Sequence, residues 1–153
     1  MSLFNALAVS ATGMTSSRLW IDLIANNISN VNSTSPIIGA DPYRRKVPLF
    51  SEVLRDIQKE GANQSDFEFG SNAVDSMGAG VQTFRIAEDK SPFKLVHNPG
   101  NPHADTNGFV KMPNIDVINE MVDMISANRA YDASVQTANA AKAMVNKALE
   151  IGK

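Results

Sequence analysis

From the N-terminus, Leu3, Leu7, Ser10, Met14, Ser17, Ile21, Ile24, Ile28 and Val31 recur at alternating spacings of four and three, and seven of the nine are apolar. Such a heptad seam keeps one face of a helix turned toward a second helix along its whole length. It predicts a helix within residues 1–34, stopped by Ser33, Thr34, Ser35 and Pro36. A second seam runs through Val117, Met121, Met124, Asn128, Tyr131, Val135, Ala138, Lys142, Val145 and Leu149, where eight of ten fit. Asp116 is placed to cap its start, Pro113 lies just outside, and Gly152 follows its end. Early Glu120 and Asp123 and late Lys142 and Lys147 complement the helix dipole. The prediction is a second long helix within 114–153.

The middle reads differently. All seven prolines lie between Pro36 and Pro113, so none interrupts either helix. "YRRKVPLF", "AGVQTFRIAE", "FKLVH" and "GFVKM" have strand-like composition or alternation and are separated by turn residues such as "NPGNP" and "TNG". Residues 35–113 therefore form a small β-rich unit, with a polar, glycine-containing loop over about 58–80. The expected fold is mainly α with a β-rich insertion (α+β), the terminal helices packed as a coiled-coil-like pair.

A length of 153 residues suits one domain, and a net charge of −2 offers no footprint for nucleic acid. With no cysteine, disulfides and thiolate metal sites are excluded. The first cationic side chain is Arg18, so the basic start of a cleavable signal peptide is missing, and Asp22 breaks the apolar run that a membrane span needs. Within residues 1–40 the only charged side chains are Arg18 and Asp22. A helix with one wet face normally shows charge there. This one carries small or neutral hydrogen-bonding residues instead, including Asn26, Asn27, Asn30 and Asn32 in "LIANNISNVNS". A partner helix from the same chain covers one side only, which leaves faces for other subunits. The amides then either bond laterally in a multi-helix assembly or mark an exposed, fraying helix end.

Candidate chemistry is sparse. His97, His103 and Asp105 in "HNPGNPHAD" are types that ligate zinc or iron, but no further ligand motif supports them, and a proline-stiffened loop explains them as well. No nucleophile elbow, phosphate-binding loop or dinucleotide fingerprint occurs. Asp116, Glu120 and Asp123 are accounted for by capping and dipole. Arg44, Arg45 and Lys46 read as a solvated strand edge or a salt bridge to a neighbouring subunit. Met121, Met124 and Met144 suit an adaptable packing surface. Tyr131 sits on the seam, and Trp20 beside Ile21 is placed to bury in the same interface or in a neighbour's groove.

"IANNISNVNST" resembles the asparagine-rich motif near the N-terminus of flagellar axial proteins, the rod and hook subunits. "DPYRRK", the run "SPFKLVHNPGNPHADTNGFVKMPNIDVINEMVDMISANRAYDASVQ" and the closing "KAMVNKALEIGK" narrow the resemblance to the proximal rod of the bacterial flagellar basal body. Asn101, Phe109 and Ser134 are local departures from that pattern. The resemblance implies a non-enzymatic structural subunit without cofactor or metal. Residues 1–34 and 114–153 would form its inner assembly domain, with 35–113 outside. It also implies export through the flagellar type III apparatus without signal cleavage. Partners would be further copies and neighbouring rod proteins in a torque-transmitting rod across the cell envelope, with no nucleic acid and no membrane span. Leu7, Met14, Trp20, Ile21, Ile24, Asn26, Asn27, Ile28, Asn30 and Val31 are the expected assembly residues of the first helix. Met121, Met124, Ile125, Tyr131, Val135, Val145 and Leu149 are those of the second. A soluble adaptor holding one partner along its charge-poor first helix is the alternative.

Overall fold

A computed structural model describes residues 3–35, 40–53 and 80–151. Helix α1 spans Leu3–Ser29 and α2 spans Val117–Ile151. Between them lie β1 (Lys46–Glu52), β2 (Val81–Glu88), β3 (Lys94–His97) and β4 (Phe109–Met112). This is the α+β arrangement expected from the pattern, and the four strands fall on the four strand-like runs. At 1.5 Å per residue, the 27-residue α1 is about 40 Å long and the 35-residue α2 about 52 Å. The loop expected over 58–80 lies, apart from Gly80, outside the described residues, as does Gly152.

The two helices are antiparallel. Gly13 meets Ser134, whose Oγ lies 2.8 Å from where a Cβ on Gly13 would stand, and Asn27 meets Glu120. The buried face of α1 follows its predicted seam through Ser10, Ser17 and Ile24. On α2 half of the predicted seam is displaced by one residue. Met124, Tyr131, Ala138 and Val145 face inward as expected. The intervening inward positions, however, are Glu120, Ala127, Ser134 and Ala141, whereas Val117, Met121, Asn128, Lys142 and Leu149 are exposed. Around the Gly13–Ser134 contact the reason is steric, since the helices approach closely there and leave room for a small side chain. Nearer the start of α2, Glu120 turns inward to its polar partners Asn27 and Arg45.

Both inner helix ends are set by local hydrogen bonds. Asp116 Oδ1 accepts from the Ile118 N–H at 3.1 Å, so Asp116 is the N-cap of α2. At the end of α1 the Asn30 N–H is shared between the carbonyls of Asn26 and Asn27, and Val31 and Ser33 bond three residues back. The chain tightens into turns there, which ends the helix at Ser29, short of the predicted 34.

β1 and β2 form one antiparallel ladder, and β3 and β4 another. Between Leu49 and Phe50 the β1–β2 register skips Phe84, which is left as a bulge residue, 71% exposed. α1 holds the start of β2 at two points one turn apart. Thr12 Oγ1 accepts from the Val81 N–H at 3.2 Å, and Ser16 Oγ donates to the Val81 carbonyl at 3.5 Å. Gly80 at φ +123° makes this approach, since a Cβ there would stand 2.2 Å from Thr12 Oγ1.

Candidate assembly interface

The first element of the site is a buried polar knot where α1, α2 and the β1–β2 hairpin converge. Asn27 is 1% exposed and uses its whole amide. Its Nδ2 donates to the Lys46 carbonyl at 2.9 Å and to Glu120 Oε2 at 3.1 Å. Its Oδ1 accepts from the Lys46 N–H at 3.0 Å and from the Tyr43 hydroxyl at 3.1 Å. The side chain thus pairs with both backbone groups of Lys46 as a neighbouring strand would, which fixes the first residue of β1 onto α1. Asparagine suits the task because one planar group supplies two donors and two acceptors without the desolvation cost of a charge.

Glu120, also fully buried, completes the knot. Its Oε1 accepts from Arg45 Nε, and the same guanidinium bonds Asp123 Oδ2 at 2.8 Å and lies 3.9 Å from Asp89. Asn114 Oδ1 accepts the Arg45 N–H at 3.0 Å, while its Nδ2 donates to the carbonyls of Asp89 and Ser91. Burial works against the charge on Arg45, yet the bond to Glu120 and the nearby carboxylates of Glu120, Asp123 and Asp89 outweigh it and raise its pKa. Burial, aided by Glu120 and Glu88, raises the pKa of the Tyr43 phenol. Asp89 is held below the usual carboxylate range, first by the Ser91 hydroxyl and N–H and then by Arg45 and Arg44.

Several sequence expectations change here. Arg45, read as a solvated strand edge or a bridge to a neighbouring subunit, forms its salt bridges within its own chain. Arg44 stacks over Phe93, 4.1 Å from the ring centroid, and pairs with Asp41. Glu120 and Asp123 serve the knot as well as the dipole. Nothing in the sequence announced the Arg45–Glu120 pairing, because its partners are 75 residues apart. Trp20 packs edge-on against Phe50 of its own chain, at 6.1 Å between centroids. His97 packs on Phe109, and among the described residues no three His, Asp or Glu side chains converge as metal ligands do.

The second element is the outer surface of the helix pair. Ile118, Met121, Val122 and Ile125 recur at the spacing of one helical stripe and are all more than half exposed, Ile118 at 74%. The stripe lies on the side of α2 opposite the Glu120–Ala127–Ser134–Ala141 face, so α1 cannot cover it. Of the other expected assembly residues, Ile24 and Asn27 are buried inside the subunit. Leu7, Met14, Trp20, Ile21, Ile28, Asn30, Val31, Met124, Tyr131, Val135 and Val145 are half-buried, and Asn26 and Leu149 are exposed. Asn26 and Asn30 pair with each other, the Asn30 amide donating to Asn26 Oδ1 at 3.0 Å. Ile118 and Val122 did not stand out in the sequence because the heptad reading counted Met121 as inward; their spacing with Met121 and Ile125 was the signal.

The helix that carries this stripe lies in a segment that a protein-family model matches. Residues 106–151 match the family model "Flagellar basal body rod FlgEFG protein C-terminal". The whole chain is similar to flagellar basal-body rod proteins FlgC. It is 40% identical to that of Borreliella burgdorferi over 99% of this chain and 98% of the relative. Over the full length of both chains it is 37% identical to that of Bacillus subtilis and 33% to that of Salmonella typhimurium. A helix pair with an unpartnered outer face, a β-rich unit locked to it and end-to-end similarity at these levels lead to one assignment: the chain belongs to the FlgC family of flagellar basal-body rod proteins, structural subunits of the rod.

Proposed function

We propose that this chain is a non-catalytic subunit of the proximal part of the rod, co-assembling through its terminal helices with further copies and with neighbouring rod proteins. In this reading residues 1–34 and 114–153 form the inner assembly domain and 35–113 an outer unit. The chain crosses the envelope through the flagellar type III export apparatus without signal cleavage and works in the periplasmic rod. The observation that carries it is the outward stripe Ile118–Met121–Val122–Ile125 on a long helix whose inner face is already filled. A contiguous apolar surface of that kind marks a protein contact. The polar knot supplies the mechanical link, since torque on the helix pair reaches the β1–β2 hairpin through Asn27, Arg45 and Glu120 rather than through a flexible tether.

The test is complementation of a deletion strain with the Ile125→Glu variant. Ile125 is exposed, so the purified variant keeps the wild-type helical content and stability and is still exported. The expected result is its absence from isolated basal bodies and loss of swimming. Normal rods containing the variant would refute the role of the stripe. Wild-type chain missing from purified basal bodies would refute the rod reading itself, and one bound partner in place of an extended stack would favour the adaptor.

A further inference from the structure

The outward face of α1 has its own heptad lane. Ala8, Ala11 and Thr15 lead to Arg18 and Asp22, and Ala25 and Ser29 complete it, every one of them exposed. The lane is flat apart from its two charges, which are the only charged side chains of residues 1–40. The outward face of α2 continues from the apolar stripe through Arg129 and Asp132 to Gln136, Ala140 and Ala143, again all exposed. Among the described residues Arg18, Asp22, Arg129 and Asp132 make no ion pair within the subunit.

We propose that the outward lane of α1 receives the outward face of α2 from a second copy of this chain, antiparallel, with Arg18 against Asp132 and Asp22 against Arg129. This rests on the rod reading above and names the contact by which copies join. One register satisfies both charge pairs, and the same register matches the rest of the two faces. Thr15 meets Gln136, Ala11 meets Ala140 and Ala8 meets Ala143, small against small. At the other end the large side chains of Ile125 and Val122 fall on Ala25 and Ser29, where the lane has room for them. A parallel neighbour would instead set Arg18 against Arg129.

Two consequences follow from the geometry. The two faces lie on opposite sides of the helix layer, so a copy cannot satisfy itself, and each filled lane leaves a free stripe for the next copy. That is a heterologous contact, which propagates as an open array. Within one chain Asn27 faces Glu120 and Gly13 faces Ser134. The proposed pairs lie three to four residues further along α2, so the neighbour is displaced axially by about 5 Å at 1.5 Å per residue. Adjacent copies are therefore staggered as in a helical lattice.

Because the chain has no cysteine, the contact can be tested by cross-linking in place. Cells carrying the Ala11→Cys, Ala140→Cys double variant are oxidised, and their basal bodies are run on non-reducing gels. Expected are disulfide-linked dimers and higher multimers of this chain, absent from either single variant. Adding Asp22→Arg or Arg129→Asp alone lowers the cross-linked yield about fivefold, and adding both restores it. Basal bodies that contain the double-cysteine chain only as monomer would overturn the pairing and leave the rod reading standing. Absence of even the wild-type chain from basal bodies would overturn the rod reading. If the cysteine variant is excluded from rods, swimming decides: recovery by the charge swap of motility lost in each single reversal supports the pairing, and failure to recover overturns it.

Discussion

Replacing Asn27 by alanine removes the group that ties the β1–β2 hairpin to the helix pair. Four hydrogen bonds vanish, and the consequences differ among the partners. The Tyr43 hydroxyl is partly accessible and Glu120 keeps Arg45, so these two losses are modest. The N–H and carbonyl of Lys46 lose their side-chain partner at a part-buried position, where each unsatisfied group costs about 1 to 3 kcal/mol. Taking the low end for each and about 1 kcal/mol for the remaining bonds gives a destabilisation of about 3 kcal/mol. At this chain length that lowers the melting temperature by about 6 to 12 °C. Urea unfolding followed by circular dichroism measures it, and a loss below about 1 kcal/mol with an unchanged slope would refute the reasoning. Asn27→Asp is the companion. It retains the acceptor toward Lys46 and Tyr43 but places a second carboxylate against Glu120, so its own pKa is raised in the folded chain. Its deficit relative to wild type is therefore largest above that raised folded pKa and shrinks as pH falls back toward the ordinary aspartate value.

Two further outcomes are expected. Gly80→Ala puts a Cβ into Thr12 at a positive φ, and a loss of about 2 kcal/mol together with faster exchange of the Val81 amide is predicted. Unchanged exchange would mean that β2 does not depend on α1. Asp89 has a depressed pKa, so its contribution to stability is present above the ordinary carboxylate pKa and disappears as pH falls through its folded value. Ser91→Ala removes the 2.6 Å hydroxyl bond and moves the Asp89 titration upward in a carboxyl NMR experiment. An unmoved titration would assign the depression to the backbone N–H at position 91, Arg45 and Arg44.

Much of the architecture follows from local pattern. Two helices, four strands and the Asp116 cap could be placed from spacing and turn residues, because backbone geometry imposes those periods on any sequence that buries one face. The shortage of charge in residues 1–40 is equally a property of the sequence alone, and it leaves faces of α1 open to neighbouring subunits. Tertiary structure decided the rest. Which face of α2 points inward was decided by what lies across from it: Gly13 takes the small Ser134, Asn27 and Arg45 take Glu120, and in that register Ala127 and Ala141 are buried while Met121 is exposed, against their hydrophobicity. The asparagines separated in the same way. Asn27 met the backbone of Lys46 and became a buried tie, while Asn26, one residue earlier and on another face, met Asn30 alone among the described residues. Period is a property of one segment. Burial, and the partners that a polar group finds across 19 or 93 residues of sequence, belong to the packed chain.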